Sequence, residues 1–365
     1  MATIEQEILE LIIMSRSVEY AYNLHNWSDQ ALKPLLASLR KAQKEILQYL
    51  DKAGIGLTDW SEARSLALLD HFSDLTLGVR AALGDSIAQI GMAVGANALL
   101  MHNDILSFGN RVEPFNNVGM SPAQLKSFVV DTPLGGKVLQ EWVNSVYDFN
   151  IQEQIKNELI TGVLKGESYP DLVNRIREGF GIAEKDAIDL ARGYVQAANV
   201  GAQEAVAYQN QDIVQGLKWT ATLETSFKKS GRGTCARCAM LDGTVYKLDE
   251  IHPPLPLHFR CRCIFTFILI PWKELGLDIG EMEEAYRPWA YRPEINIDTG
   301  RKGKILASGF FQGDYSEWMK TQSDRFQKNI LGPMRFELYN SGKVDFKDMV
   351  DKLTGKLINL KDLKY

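Results

Sequence analysis

All four cysteines of the 365-residue chain lie in one segment, CARCAMLDGTVYKLDEIHPPLPLHFRCRC, which runs from Cys235 to Cys263. Two of the five histidines, His252 and His258, lie in the same segment. Thiolate and imidazole side chains are ligands of soft metal ions. Their crowding into one short stretch indicates a single built site rather than scattered core residues.

The spacing of these side chains suits a tetrahedral metal ion. Cys235 and Cys238 form a C-x-x-C pair whose thiolates can converge on one ion. The returning H-F-R-C-R-C presents three further donors, His258, Cys261 and Cys263. Because C-x-C is tighter than the usual C-x-x-C return, either His258 or Cys261 is left out of a four-ligand set. The sequence therefore predicts a site for zinc or another thiophilic ion.

Other interpretations of this segment remain open. The cysteines could form a disulfide, either Cys235–Cys238 or one across the hairpin, or stay reduced and hold two turns together by packing. A catalytic zinc would need an open ligand position and a nearby base, for which Asp242 and Glu250 are available, although Leu-Asp-Gly is typical of a turn. The residues after Met1 lack the basic flank of a signal peptide, so we expect folding in a cytoplasm, where reduced thiols favour a metal over a disulfide.

Composition is that of an ordinary folded protein, with 45% hydrophobic and 24% charged residues and a length that suits two or three domains. The formal net charge of −5 argues against a protein that wraps nucleic acid over its whole surface, because phosphate neutralisation needs concentrated cationic charge. From Arg301 to Tyr365, however, thirteen Lys and Arg outnumber eight Asp and Glu. This surplus indicates either a basic tail that meets DNA or a solvated helix face.

Apolar residues recur at helical spacing through much of the N-terminal part. Two stripes carry the pattern: Ile4, Ile8, Leu11 and Ile12, and then Leu36, Leu39, Ile46 and Leu50. A further helix from Trp60 should end near Gly84. Another begins around Ser168, which is suited to an N-cap, and a separate one should span about residues 184–209.

Runs with β character follow at residues 213–222, 243–246 and 264–270. The predicted fold class is α+β, with a largely helical N-terminal two-thirds followed by a small mixed α/β domain that contains a hairpin stapled by its cysteines. The predicted divisions are a helical region at 1–108, an irregular linker at 109–136, helices plus the cysteine-containing domain at 137–300, and a basic helical segment at 301–365.

The stretch from Ser86 to Leu106 is rich in small residues, and its Gly91 and Gly95 are spaced as in a closely packed helix pair. Polar residues interrupt it, and no run reaches the ~20 apolar residues that a bilayer requires. We therefore expect a tightly packed or subunit-contacting helix, with membrane contact as the alternative.

Two separated blocks of sequence carry a family resemblance. The run W-T-A-T-L-E from Trp219 to Glu224 precedes the C-x-x-C pair, Leu-Asp-Gly, and then the H-x-x-C-R-C return at His258. From Tyr315 the chain reads YSEWMKTQSDRFQKNILGPMRFELYNSGKVDFKDMV, followed by LINLKDL. In this order the blocks resemble the phage head-morphogenesis family typified by protein F of phage Mu, over roughly residues 135 to 365.

The chain departs from the family pattern at two points. Glu224 stands where such proteins commonly carry Asp, and SFKKSGRG at 226–233 lengthens the path to Cys235. The Arg-Thr-Glu often found in the preceding helix is replaced by Arg-Gly-Tyr at 192–194, so one acid is missing. A chemical role for that acid in relatives could not be performed by this position here, which argues against an enzyme.

The resemblance implies a non-enzymatic minor head protein that is made in the host cytoplasm and resides in the virion, in the head interior or at the portal vertex. It would act in head assembly, with DNA packaging or ejection as further roles. The expected partners are the portal protein, capsid or scaffold proteins, and weakly bound, non-specific double-stranded DNA. The apolar stripe with Leu36, Leu39, Ile46 and Leu50, in the helical region at 1–108, is expected to dock on the portal or a neighbouring subunit. Neither a small-molecule substrate nor a membrane partner is expected.

Two alternatives belong to other classes of function. One is a metal-dependent enzyme such as a nuclease, using Glu224, Asp242 and the cysteines. The other is an ejection protein that contacts DNA or a membrane through the basic tail or the helix at 86–106. The sequence contains no G-x-x-x-x-G-K-[ST], no H-E-x-x-H and no G-x-S-x-G motif, so familiar nucleotide-binding, zincin and hydrolase sites are not indicated.

Overall fold

The computed structural model describes residues 33–52, 62–108, 119–145, 157, 161, 169–225, 234–259, 261–271, 274, 286–291 and 307–364. The predicted apolar stripe that begins at Ile4 lies outside these residues. The chain divides into two compact units. One comprises residues 25–94 and 120–198, and the other comprises residues 1–24, 95–119 and 199–365.

Helices make up most of the described chain before residue 210. They are α1 (Lys33–Lys52), α2 (Glu62–Phe108), α3 (Pro122–Asp131), α4 (Leu139–Asn144) and α5 (Tyr169–Gln209). None of the described helices is both long enough and apolar enough to cross a membrane.

Two predicted helix breaks are wrong. The helix expected to end near Gly84 continues as α2, and the two helices expected around residues 168–209 form the single helix α5. One glycine inside a helix costs about 1 kcal/mol relative to alanine. Burial outweighs this cost, because Leu83 and Ile87 beside Gly84 are 2% and 1% exposed, and Phe180 in α5 is 2% exposed.

Helix α3 forms inside the segment predicted to be an irregular linker. Ser121 caps it: the Ser121 hydroxyl accepts from the Gln124 N–H, and the Gln124 side chain accepts from the Ser121 N–H. Pro122, which lies in this predicted linker, occupies the first turn of the helix, where its missing N–H costs nothing. A Cβ at Gly91 would lie 2.6 Å from Cγ1 of Val129, so the predicted close packing at Gly91 is confirmed against α3.

The apolar stripe of α1 is part of the core of its own unit. Leu39 and Ile46 are 2% and 1% exposed, and Leu36 is half-buried. The side chain of Leu50 lies outside the described part. The described residues of the stripe therefore pack within the chain and do not form a free surface.

In the described part of the second unit, six strands form two three-stranded sheets. They are β1 (Val214–Thr220), β2 (Leu223–Thr225), β3 (Val245–Lys247), β4 (Ile264–Leu269), β5 (Tyr286–Tyr291) and β6 (Ala307–Gln312). The first sheet is antiparallel with the order β3-β1-β4, and Trp219 lies opposite Phe265. The second has the order β2-β5-β6, in which β2 is parallel and β6 antiparallel to β5. The first sheet matches the predicted β runs, whereas β2, β5 and β6 were not predicted as strands.

Short helices complete this unit. They are α6 (Ala236–Leu241), α7 (Tyr315–Lys320), α8 (Asp324–Leu331) and α9 (Pro333–Asn340), with 3-10 turns at Phe346–Met349 and Leu360–Asp362. Tyr315 and Trp318 of α7 are buried, and the Tyr315 ring stacks on Phe346 with 6.2 Å between ring centroids. Helices around two small sheets confirm the α+β class.

Candidate metal centre

The first turn of α6 positions the C-x-x-C pair. Cys235 is the N-cap residue, with an extended backbone, and its Sγ accepts from the Cys238 N–H at 3.5 Å. An N-cap side chain folds back over the first helical turn, so this hydrogen bond holds the two thiols on the same side of α6. Cys238 is 1% exposed, whereas Cys235 is partly exposed.

The H-F-R-C-R-C segment brings the remaining donors to the same place. It turns where the Cys261 N–H donates to the His258 carbonyl at 3.0 Å, and it then continues into β4. Sγ of Cys238 lies 3.5 Å from Nε2 of His258 and 3.7 Å from Sγ of Cys261. The two halves of the motif therefore meet at Cys238.

The five predicted ligands fall into two overlapping groups. Donor atoms of Cys235, Cys238 and His258 lie within 4.8 Å of one another, as do those of Cys238, Cys261 and Cys263. Cys238 is common to both groups. All four cysteines are free thiols, and the 3.7 Å between Sγ of Cys238 and Sγ of Cys261 is far longer than the ~2.05 Å of a disulfide.

His258 presents the nitrogen that a metal ion requires. Its Nδ1 lies 2.7 Å from the carbonyl oxygen of Phe259, which can only accept, so Nδ1 carries a proton. In the neutral ring, the lone pair is then on Nε2, the atom that faces Cys238. Burial lowers the pKa of His258, but its hydrogen bond to Cys235 and the charges of Cys261 and Cys235 raise this pKa to about 9. The surrounding thiolates thus favour a positive charge here, which either a proton or a metal ion supplies.

The four thiols differ in their tendency to ionise. Hydrogen bonding with Cys238 lowers the pKa of Cys235 to about 4; burial opposes the shift and His258 adds to it. Hydrogen bonds with Cys238 and Cys263 hold the pKa of Cys261 well below its usual range. Hydrogen bonding to Cys235 raises the pKa of Cys238, and burial raises that of Cys263. Buried thiolates beside an imidazole form a soft, anionic donor set that fits zinc or another thiophilic ion.

Asp242, a possible base in the enzyme hypothesis, is a buried structural anion. Its Oδ1 accepts from the Ala221 N–H at 2.6 Å and from Nη1 of Arg287 at 2.8 Å. Its Oδ2 accepts from Nη2 of Arg287 at 2.5 Å and from the Tyr315 N–H at 2.6 Å. The residue is 0% exposed, and with two hydrogen bonds at each oxygen its carboxylate is fully occupied. Asp242 therefore joins the β1–β2 turn, β5 and the start of α7.

The other two candidate acids, Glu224 and Glu250, also accept hydrogen bonds within the chain. Glu224 is 4% exposed and accepts two hydrogen bonds from Arg262, at 2.9 and 2.5 Å. Glu250 is exposed and accepts from the Lys247 N–H at 3.2 Å, which is a turn contact. His252, the other histidine of the segment, belongs to neither donor group.

Three residues support the site although the sequence alone did not predict this role for them. Arg262 has a local signal, because it stands between two predicted ligands, but its partner Glu224 is 38 residues away. Arg287 and Tyr315 contact Asp242 from 45 and 73 residues away, and nothing in their local sequence indicates Asp242 as the partner. Only the tertiary structure brings these groups together.

A known protein family is similar to part of the chain. Residues 153–266 match a family model described as Phage Mu protein F like protein. The matched range contains α5, β1, β2 and all five candidate ligands, and it ends inside β4. No curated protein and no solved structure matches the chain.

Proposed function

We propose that the chain is a phage minor head protein that acts in head morphogenesis without enzymatic activity, because residues 153–266 match the family model described as Phage Mu protein F like protein. The family match is the observation that carries this proposal. The match covers the first of the two resembling blocks of sequence, which builds the cysteine site, whereas the block from Tyr315 lies outside the matched range.

The ion pairs formed by the acidic groups support a structural role. Glu224 and Asp242 are the two carboxylates that a hydrolytic mechanism would use, and each forms a two-point ion pair with an arginine. A general base must be able to accept a proton from its substrate, and a carboxylate locked in this way is poorly suited to that task. The geometry therefore favours an assembly component over a metal-dependent nuclease.

We further propose that the cysteine cluster holds a structural zinc ion. Cys238 would be one ligand, and three of Cys235, His258, Cys261 and Cys263 would complete the set. A bound ion would cross-link α6 to the segment that leads into β4. Structural zinc typically contributes several kcal/mol or more to folding, so this cross-link would stabilise the small mixed domain.

The proposed location is the virion, in the head interior or at the portal vertex, with the portal protein as the main partner. The α1 stripe is not a free docking face, since Leu39 and Ile46 are buried within the chain. Under this proposal, portal contacts would come from other surfaces of the helical part. Capsid or scaffold proteins and non-specific double-stranded DNA are secondary partners, and roles in packaging or ejection would follow from the same location.

The test is co-purification with the portal protein of the same phage. The full-length chain and the portal protein are co-expressed, and the tagged portal is captured and washed in moderate salt. We expect the chain to be retained on the portal, and to be found in purified virions at a few copies per particle. Absence from virions, together with metal-dependent nuclease activity that is lost in Glu224→Gln, would replace the assembly role by the enzymatic one.

A further inference from the structure

A tight turn near the C-terminus presents an exposed leucine. The turn closes where the Asp351 N–H donates to the Lys356 carbonyl at 2.9 Å and the Gly355 N–H donates to the Asp351 carbonyl at 2.8 Å. The Asp351 side chain accepts from the Leu353 N–H at 2.8 Å and from the Thr354 N–H at 3.1 Å. Leu353 is 56% exposed. Because the backbone is already fixed, docking of this leucine on a partner would cost little ordering entropy.

Positive charge surrounds this leucine. Lys352 and Lys356 are both exposed, whereas the Asp351 carboxylate is folded onto the N–H groups of the turn itself. We call the side chains of Lys352, Leu353 and Lys356 the basic turn. An apolar side chain between two cations suits a partner surface that is both apolar and acidic.

The loop after β3 belongs to the same unit and has this complementary character. Ile251 is 78% exposed, which is the highest value among the large apolar side chains of the described part of the chain. Asp249 and Glu250 directly precede it and are both exposed. The loop therefore combines a large exposed apolar side chain with two carboxylates.

Helix α5 adds an aromatic side chain beside this loop. Oε1 of Glu204 lies 3.8 Å from Nε2 of His252, the residue after Ile251. Tyr208 is one turn further along α5, on the same helix face as Glu204, and it is 46% exposed. We call the side chains of Tyr208, Asp249, Glu250 and Ile251 the acidic surface; this set is apolar at Tyr208 and Ile251 and negatively charged at the two carboxylates.

The basic turn and the acidic surface are neighbours. The Tyr246 hydroxyl of β3 donates to the Lys352 carbonyl at 2.9 Å, just before the loop begins. At the other end of the loop, a Cβ at Gly355 would lie 3.2 Å from Cβ of Pro253, two residues after Ile251. The turn thus touches the chain on both sides of the loop, and two surfaces of opposite charge lie side by side.

We propose that the basic turn of one copy docks on the acidic surface of a second copy, and the reverse, in a two-fold symmetric dimer. A two-fold interface uses the same patch on both subunits, so a patch with two complementary halves pairs each half with its complement. Leu353 would pack against Ile251 and Tyr208, while the two lysines would face the two carboxylates. This self-association is separate from the proposed portal contacts and does not depend on a bound metal ion.

The test is analytical ultracentrifugation of the full-length protein over a range of concentrations, in low and high salt. We expect a monomer–dimer equilibrium that salt weakens, because salt screens exposed charges. Two charge-reversed proteins are compared with it, Lys352→Glu/Lys356→Glu and Asp249→Lys/Glu250→Lys. Each should be monomeric alone, since both halves of its patch then carry the same sign, and an equimolar mixture of the two should dimerise again.

Leu353→Asn tests the apolar contact, with Met334→Asn as the matched control. Met334 is 59% exposed and lies outside the proposed interface. Leu353→Asn should raise the dissociation constant of the dimer at least about tenfold, because it removes apolar area that becomes buried on docking. Met334→Asn should leave the constant unchanged. Leu353→Asn keeps every charge in place, so it tests docking even where a charge-reversed protein fails to fold, which circular dichroism detects.

Three results would overturn the proposal. One is sedimentation of the unsubstituted protein as a monomer at every concentration. Another is a dimer that neither Leu353→Asn nor the charge reversals weaken, because a different surface would then form it. The third is a monomeric protein whose capture by the portal protein is lost in Leu353→Asn, which would make the portal, and not a second copy, the partner of the basic turn.

Discussion

Arg262 and Glu224 form a two-point ion pair, with Nη1 2.9 Å from Oε1 and Nη2 2.5 Å from Oε2. The guanidinium belongs to the residue between Cys261 and Cys263, and the carboxylate lies in β2 of the second sheet. The pair therefore connects the second half of the cysteine site to a sheet that contains none of the candidate ligands. It also occupies the acid that an enzymatic mechanism would require.

Removing one member of this pair should strongly destabilise the fold. We expect Glu224→Gln to lower the free energy of unfolding by about 3 kcal/mol, because it leaves the Arg262 charge without its partner at a site where the Arg262 side chain is 16% exposed. Urea denaturation of Glu224→Gln, Arg262→Gln and the double variant measures the coupling energy.

Glu184→Gln is the control for this double-mutant cycle. Its partner Arg40 has a side chain that is 64% exposed, so loss of that surface pair should cost less than about 1 kcal/mol. Equal effects of Glu224→Gln and Glu184→Gln, or a coupling energy near zero, would show that the Arg262–Glu224 pair does not hold the two regions together.

His102 should make stability sensitive to mild acid. It is 2% exposed and its Nε2 lies 3.1 Å from Oδ1 of Asn199. Burial lowers its pKa to about 4, partly opposed by the hydrogen bond with Asn199, whereas the unfolded value is near 6.5. Between these values the unfolded chain binds the additional proton, so the contribution of neutral His102 is complete above pH 6.5 and is lost as pH falls towards 4.

The check is the unfolding free energy of the unsubstituted protein and His102→Gln from pH 7 to pH 4. The difference in free energy of unfolding between the unsubstituted protein and His102→Gln should decrease by up to about 3 kcal/mol as the pH falls from 7 to 4, because glutamine does not titrate. Taking the difference between the two proteins cancels the titration of all other groups. A difference that stays constant with pH would mean that His102 is not held in its neutral form.

The C-terminal part of the chain has a surplus of basic residues. If these residues bind DNA, the binding should be weak and independent of DNA sequence. Three of those residues, Arg301, Lys302 and Lys304, can be replaced by glutamine without deleting β6 or Tyr315. We expect affinity to fall steeply with salt and the salt dependence to become shallower in the triple variant, since fewer counterions are released. Fluorescence anisotropy with two unrelated duplexes is the measurement. Tight binding that survives high salt or distinguishes the duplexes would contradict this prediction.

The clustering of the cysteines with His258 could be predicted from the sequence, because these side-chain types are rare in the chain and closely spaced. Cys235, Cys238 and His258 needed only the C-x-x-C turn and a return segment to meet. The surrounding ion pairs could not be predicted, since Arg287 and Asp242 are far apart in the chain and each is unremarkable in its local sequence. Pairing of this kind depends on the tertiary fold.

The helix boundaries show the same limit. Gly84 carries a local signal for a helix end, yet burial of its neighbours Leu83 and Ile87 stabilises a continuous helix. Pro122 carries a local signal for irregular chain, yet after the Ser121 cap it fits a helix start. The apolar stripe of α1 was interpreted as a docking face, but periodicity alone does not tell whether the covering surface belongs to the same chain or to a partner.

The most direct test of the central claim is the zinc content of full-length protein purified under reducing conditions without added metal. Elemental analysis should find about one zinc per chain, and the ion should be lost in Cys238→Ser, which removes the donor shared by both groups, together with several kcal/mol of stability. A protein that contains no metal, folds fully, and is equally stable before and after treatment with a strong chelator would contradict the claim that a metal ion cross-links this domain.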